Sequence, residues 1–327
     1  VDERGTAFFA AGHARATRKP AAWITTSGTA VANGLPAVVE AASDHLPLVL
    51  LTADRPPELR ATGANQTVDQ VKIFGDFVQE FFDLPAPDPT LDPAMVLTTV
   101  DQMVHRARSL PSGPVHLNCM FRKPLAPVSD PYELPAEKPR LRDWREHDRP
   151  FTCHESTATS PESTAVERTA ELLNRTGRGL IVAGRLAQPS AGRAIKKLAE
   201  KLRWPLLPDV ASQIRLSSSS PAAVPYYDLL LTSPEFADAH APELVLQFGA
   251  RSTSKRLRQF LTDAAPKHHI LVKNYPDRFD IDHEVSMSIQ SDCEAAAQLL
   301  RESVTSVSNT EWLERWRSAS DVVGRTL

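Results

Sequence analysis

Short, nearly continuous apolar runs alternate along this chain with longer stretches in which apolar residues recur every three to four positions, so buried strands and amphipathic helices follow one another. Residues 6–16 predict a helix rich in small and aromatic side chains, residues 21–25 a short buried strand, and Ser27-Gly28-Thr29 the tight turn that closes it. Helical spacing returns over residues 31–42. Residues 47–52 form an apolar run of the kind found inside parallel sheets. Two more such units follow, with a helix over residues 95–108 leading into a strand at 113–118. From about 125 to 164 the alternation stops. Pro124, Pro127, Pro131, Pro135, Pro139 and Pro150 punctuate Ser/Thr clusters and mixed charge, which reads as a connector wrapping a surface. A second series then begins with a helix over 164–173 and strand signals at 179–183, 204–207, 244–248 and 269–272. The expectation is an α/β chain with two doubly wound, mainly parallel-sheet domains. These span 1–125 and 164–305, joined by a connector over 126–163 and followed at 306–327 by the start of a linker. No internal repeat occurs, and the Ser217 to Ser220 run reads as a flexible loop.

Composition narrows the picture. The 327 residues, 42% apolar and 24% charged, suit a soluble globular protein with two cores, and no apolar run reaches the roughly 20 residues that span a bilayer. A formal charge of −3 leaves no basic surplus for binding nucleic acid. Cys119, Cys153 and Cys293 lie far apart without CxxC or Cys/His spacing, which points to a reducing compartment. His13, His45, His105, His116 and the pair His268-His269 are scattered, so no metal ligands are expected. Neither Ser27 nor Ser212 stands in a GxSxG elbow. The chain starts at Val1 and enters a helical pattern with no preceding cap. It ends in an amphipathic pattern around Trp312 and Trp316 that runs to Leu327 without a stop signal, so both ends read as cut.

Several positions carry candidate chemistry, each with an ordinary structural alternative. Glu3 opens a helix that continues Ala7-Phe8-Phe9-Ala10-Ala11, an apolar setting for a carboxyl group, or it is simply an acidic first-turn residue. At Thr26-Ser27-Gly28-Thr29 a strand gives way to a helix, where backbone N–H groups and hydroxyls can meet a polar ligand or merely cap the helix. Arg55 stands at the carboxyl edge of a parallel sheet, free for a ligand or salt-bridged to Asp54 or Glu58. Asn65-Gln66 offers amides on a Gly-led loop. Lys255 and Arg256 occupy the first turn of a helix capped by Thr253 or Ser254. Cations are disfavoured there, so either a ligand anion offsets the cost or they join Arg251 and Arg258 on a solvated basic face. No GxGxxG follows Gly249, and a dinucleotide role has weak support.

Five segments occur here in one order: Asp2-Glu3-Arg4-Gly5, Thr25-Thr26-Ser27-Gly28-Thr29-Ala30, Leu51-Thr52-Ala53-Asp54-Arg55-Pro56-Pro57-Glu58-Leu59, Gly63-Ala64-Asn65-Gln66 and Pro114-Val115-His116-Leu117-Asn118-Cys119. Together with Gly249-Ala250-Arg251-Ser252-Thr253-Ser254-Lys255-Arg256, they resemble the thiamine-diphosphate-dependent 2-succinyl-5-enolpyruvyl-6-hydroxy-3-cyclohexene-1-carboxylate synthases of the menaquinone/phylloquinone pathway. The chain is also similar to the corresponding part of the fused plant and algal protein of phylloquinone synthesis. The resemblance covers nearly the whole chain and implies a pyrimidine-binding domain followed by a middle domain. It implies decarboxylation of 2-oxoglutarate and 1,4-addition of the resulting carbanion to isochorismate. Glu3 would be the acid on the pyrimidine nitrogen, Thr26, Ser27 and Gly28 would shape the pyrimidine pocket, and Arg55, Asn65, Gln66, Lys255 and Arg256 would orient substrate carboxylates and hydroxyl.

Family enzymes hold the diphosphate through Mg²⁺ (or Mn²⁺) on a further domain marked by Gly-Asp-Gly-like residues and a later Asn. Gly75-Asp76 is the nearest match, yet residues 101–106 hold no asparagine. Also absent is the arginine-containing turn that the family carries ahead of Asp2-Glu3. The resemblance therefore implies that these residues alone lack a complete active site and that the intact enzyme is a homodimer or homotetramer. It would be cytoplasmic in a bacterium, plastid or peroxisomal in a plant or alga. Another thiamine-diphosphate decarboxylase or acetolactate-type synthase, and a non-catalytic α/β binding module, are the alternatives.

Overall fold

The computed structural model describes residues 2–126, 139–155, 159–215, 220–305 and 310–327. The chain divides into two compact units, Val1–Ser156 and Thr157–Leu327. Pro127, Pro131 and Pro135 of the expected connector, part of the Ser217 to Ser220 run and residues 306–309 of the expected linker lie outside the described residues.

The first unit contains α1 (Glu3–Thr17), β1 (Ala21–Thr25), α2 (Thr29–Ala32), α3 (Leu35–Ser43), β2 (Leu48–Asp54), β3 (Phe81–Leu84), α4 (Pro93–Arg108), β4 (Val115–Met120) and α5 (Pro139–Glu146). Its strands are all parallel, in the order β1-β2-β4-β3. Successive side chains on a strand point to opposite faces, and the sequence uses this. Leu48 and Leu50 join Ala21, Trp23 and the alanines of α1 in one core, while Val49, Val115 and Leu117 pack with Met103 and Ala107 of α4 in the other.

The helix expected over 31–42 is broken at Asn33-Gly34, where Pro36 opens the first turn of α3 and Gly34 leaves room for the Trp23 ring, 2.4 Å from where a Cβ would stand. The helix start expected to lack a cap has one: the Asp2 side chain accepts a hydrogen bond from Arg4 N at 2.9 Å.

The second unit contains α6 (Ser163–Arg175), β5 (Gly179–Ala183), α7 (Pro189–Leu202), β6 (Leu206–Pro208), α8 (Tyr227–Leu230), α9 (Pro234–Ala239), β7 (Leu244–Phe248), α10 (Lys255–Ala264), β8 (His268–Lys273), β9 (Met287–Gln290), α11 (Cys293–Ser303) and α12 (Thr310–Thr326). Its five strands are parallel, in the order β6-β5-β7-β8-β9. Helices α6, α7 and α11 bury Ile181, Leu246, Phe248 and Ile270 on one face; α10 and α12 bury Leu180, Val182 and Val245 on the other. The carboxyl-terminal stretch expected to begin a linker is helical, and Trp312 and Trp316 are buried in this second core, with Trp312 Nε1 donating to Gly179 O at 2.8 Å.

Candidate functional site

At the carboxyl edge of the first sheet, one face turns from apolar to polar. After Leu48 and Leu50 the same face of β2 carries Thr52 and Asp54; on β4, His116 stands opposite Leu50 and Asn118 opposite Thr52, and beyond Asn118 lies Asp83 of β3. Thr52, His116 and Asn118 have no exposed surface, and Asp54 is 3% exposed. Polar groups this deep are costly unless paired, and nearly all of them are. Asn118 Nδ2 donates to Asp54 Oδ2 and Asp83 Oδ1, both at 2.8 Å. Its Oδ1 accepts from Thr52 Oγ1 at 3.0 Å and from Gln70 Nε2 at 2.9 Å.

Since the Thr52 hydroxyl gives its proton to Asn118, the 2.7 Å contact to His116 Nε2 is one in which the imidazole donates, so Nε2 carries the proton. Burial pushes His116 down to about 4, and its Nδ1 has no partner. Arg60 closes the cluster, bonding Asp83 at 3.1 Å and Asp54 at 3.0 Å, and these carboxylates hold its guanidinium above the ordinary arginine range.

Above this layer, Glu3, Thr26, Ser27, Gly28 and Gln66 line one pocket of about 420 Å³. Glu3 is half-buried. The aromatic side chains following it do not close over it, for Phe8 and Phe9 are 45% and 78% exposed. The strand-to-helix turn could meet a polar ligand with its backbone N–H groups or merely cap the helix. Gly28 N instead donates at 2.8 Å to Gln70 Oε1 inside the protein.

Arg55 makes neither expected salt bridge: Asp54 bonds Arg60, Glu58 pairs with Arg122 at 2.7 Å, and the Arg55 guanidinium turns to the next loop. Its Nε donates to Asn65 O at 3.3 Å and its Nη2 to Gln66 Oε1 at 3.2 Å. Thus Arg55, Asn65 and Gln66 form one cluster beside the pocket.

In the second unit, Ser254 is the cap of α10, accepting from Leu257 N at 3.0 Å, while Thr253 binds the buried Asp209 through N at 2.6 Å and Oγ1 at 2.8 Å. Lys255 and Arg256 go different ways. Arg256 pairs with Asp228 at 2.6 Å, so the anion beside it at this helix start is a side chain of the protein itself. Lys255 lines a cavity of about 480 Å³ with Arg185, Arg251, Arg258 and Arg278, tempered by Asp280, Asp282 and Glu284.

The crevice where the strand order reverses, between β5 and β7, is filled by main chain. A Cβ on Gly184 would lie 1.9 Å from Ala250 O, and one on Gly249 2.4 Å from Arg185 O. Ala250 N donates to Arg185 O and Gly184 N to Phe248 O, each at 2.9 Å. That is the place where a doubly wound sheet takes a dinucleotide, and here it is closed.

Gln70, Asn118, Asp83 and Arg60 escaped the residue-level reading. Only Asn118 left a signal, in β4, where it and His116 interrupt an otherwise apolar strand at alternate positions and therefore share one face.

The two-unit α/β architecture and the polar pocket define a cofactor-dependent enzyme class, and comparison with known proteins gives the same one. The chain belongs to the thiamine pyrophosphate enzymes: residues 1–73 match the family of their N-terminal TPP binding domain, and residues 137–326 the family described as the middle domain of thiamine pyrophosphate. It is similar to the 2-succinyl-5-enolpyruvyl-6-hydroxy-3-cyclohexene-1-carboxylate synthase of Salinibacter ruber, 50% identical over 99% of this chain and 55% of the relative. The synthase of the same name from Rubrobacter xylanophilus is 47% identical over 100% of this chain and 56% of its own length. The chain thus spans about half the length of the curated relatives it matches. Among solved structures, a chain from Mycobacterium smegmatis described as thiamin diphosphate-dependent shares the fold, with a TM-score of 0.64 at 18% identity over 95% of this chain and 56% of that one.

The pocket of the first unit has the Glu3 carboxyl group at one wall and at another Gly28, whose missing side chain leaves room for the Gln66 backbone. Among the described residues, no three His, Cys, Asp or Glu side chains gather as metal ligands, and no helix is long and apolar enough to cross a membrane.

Proposed function

We propose that this chain supplies the pyrimidine-binding and middle domains of a thiamine-diphosphate-dependent synthase that decarboxylates 2-oxoglutarate and joins the remaining four-carbon unit to isochorismate. The product would be 2-succinyl-5-enolpyruvyl-6-hydroxy-3-cyclohexene-1-carboxylate. The observation that carries this reading is the meeting of Glu3, Thr26, Ser27, Gly28 and Gln66 on one pocket. The named synthases to which the chain is similar supply the substrates.

When bound, thiamine diphosphate supplies the electron sink that loss of CO₂ from a 2-oxo acid needs. Asp2 takes the capping role on α1, which leaves the Glu3 carboxyl to hold a proton at the pyrimidine nitrogen N1′. Thr26, Ser27 and Gly28 form the wall that orients the ring. Both substrates carry two carboxylates, and Arg55, braced by its bonds to Asn65 and Gln66, presents a planar cation to one of them. In the second unit, Lys255, on its own basic cavity, and Arg256, which shares its guanidinium with Asp228, are the further cations assigned to substrate carboxylates. Diphosphate and Mg²⁺ are held by residues outside this chain, in a homodimer or homotetramer of the bacterial cytoplasm.

In the intact enzyme, 2-oxoglutarate and isochorismate should yield the named product when thiamine diphosphate and Mg²⁺ are present. Glu3→Gln should lower kcat/KM by about 10²- to 10⁴-fold and abolish exchange of the cofactor's C2 proton, followed by NMR. Undiminished exchange in that variant removes Glu3 from the reading; turnover of pyruvate in preference to 2-oxoglutarate reassigns the substrate.

A further inference from the structure

Gln70 lies in none of the motifs that mark the site, yet its side chain is 1% exposed and makes three hydrogen bonds to three separate parts of the first unit. Its Oε1 accepts from Gly28 N at 2.8 Å; its Nε2 donates to Ala53 O at 3.0 Å and to Asn118 Oδ1 at 2.9 Å. The orientation of the amide is dictated by its partners, since a backbone N–H faces the oxygen and a backbone carbonyl faces the nitrogen. Gln70 therefore ties the turn after β1 to the ends of β2 and β4. It sits four residues beyond Gln66, on the loop that carries Asn65 and Gln66.

One backbone feature, the left-handed conformation of Gln66, runs against local preference, and Gly28 accommodates it. Gly28 has φ 87° and Gln66 has φ 56°, and the two are in contact, for a Cβ on Gly28 would lie 3.3 Å from the Gln66 backbone. A glutamine in the left-handed region persists only where its surroundings impose it. Arg55 clamps the outer side of the same loop through Asn65 O and Gln66 Oε1. The peptide between Ser27 and Gly28 is planar and trans, so once Gln70 captures the N–H, the Ser27 carbonyl is fixed in the opposite direction. The Gly28 N–H is thereby taken up inside the protein and is not offered to a ligand at this turn.

We propose that Gln70 is a positioning residue that locks the Ser27-Gly28 turn and the Asn65-Gln66 loop into one element, so that cofactor affinity and substrate recognition are set together by a single buried amide. The link to cofactor and substrate rests on the proposed synthase function; the lock itself does not. Gln70→Met keeps the length and volume of the side chain while deleting all three bonds.

Amide hydrogen exchange on the chain, read by mass spectrometry or NMR, tests the lock. In Gln70→Met the Gly28 amide and the amides of residues 65–67 should exchange faster together, by about tenfold or more. Wild-type exchange at Gly28 overturns the bond, and acceleration at Gly28 alone overturns the coupling.

In the intact enzyme, the thiamine diphosphate Kd and the isochorismate KM should both rise about tenfold in Gln70→Met. A purely structural defect would reduce the amount of folded enzyme, lowering the apparent kcat while leaving KM and Kd at wild-type values, and that result overturns the positioning role. If wild-type enzyme forms no product from 2-oxoglutarate and isochorismate, the functional reading fails, while the exchange measurement still decides the lock.

Discussion

In the first unit the carboxyl edge of the sheet is built from polar side chains buried beneath an open pocket, whereas in the second the equivalent crevice is closed by backbone packed on backbone. Thr52, Asp54, Asp83, His116 and Asn118 sit where aliphatic residues would pack more cheaply, and their bonds rise through Gln70 to Gly28. Gly184 and Gly249 do the reverse, removing side chains so that two loops can touch. The contrast teaches that similar parallel-sheet architectures commit their edges differently. A buried polar layer fixes groups at a site with little freedom to rearrange, while beside the glycine-sealed crevice lies the basic cavity around Lys255.

The strongest way to break this contrast is to remove the centre of the polar layer. Asn118→Leu deletes the donors to Asp54 and Asp83 together with the acceptor for Gln70 and Thr52, and should destabilise the chain by about 4 kcal/mol in urea unfolding. A loss below about 1 kcal/mol would mean that water already reaches these carboxylates.

In the second unit, Gly184→Ala drives a Cβ toward the Ala250 carbonyl and should destabilise by about 3 kcal/mol. Calorimetry on the intact enzyme should find its thiamine diphosphate affinity unchanged. A weakened affinity would show that the sealed crevice serves the cofactor after all.

The smallest effect is one of pH. His116 is held near 4 by burial, below its ordinary 6.5, so the unfolded chain takes up a proton first as pH falls. Its contribution to stability is complete above about 6.5 and is lost as the pH drops toward 4, amounting to about 2 kcal/mol by pH 5. Stability curves of wild type and His116→Gln at pH 7.5 and 5, values set roughly to bracket that window, should converge at the lower pH. Parallel curves would place the proton elsewhere.

Much of the fold could be read from the order of residues. The apolar runs at β2, β4, β5, β7 and β8 marked strands because a strand covered on both faces needs apolar side chains throughout, whereas β1, at the sheet edge with Ala22 and Ile24 exposed, was marked by its apolar composition alone. β3 and β9 were missed because they are short and incompletely buried, so they carry no sustained apolar run: all four residues of Phe81–Leu84 are half-buried, and Met287–Gln290 has one fully buried position. At the site, the sequence identified Glu3, Thr26, Ser27, Gly28 and Gln66 as candidates, and folding brings all five to one pocket. It could not choose a partner for Arg55, since Asp54 and Glu58 are adjacent in the chain while the loop at Asn65 is adjacent in space.

Sequence alone determined the alternation of strands and helices, the two cores and the identity of the polar residues in β2 and β4, because these follow from side-chain period and the free energy of burying apolar surface. Only the tertiary structure decided which polar groups pair. The Gln70 link to Gly28, the turning of Arg256 to Asp228 and the closure at Gly184 depend on a few tenths of an ångström between residues 28 to 66 positions apart, and hydrogen bonds and steric contacts act at that range whatever their separation along the chain.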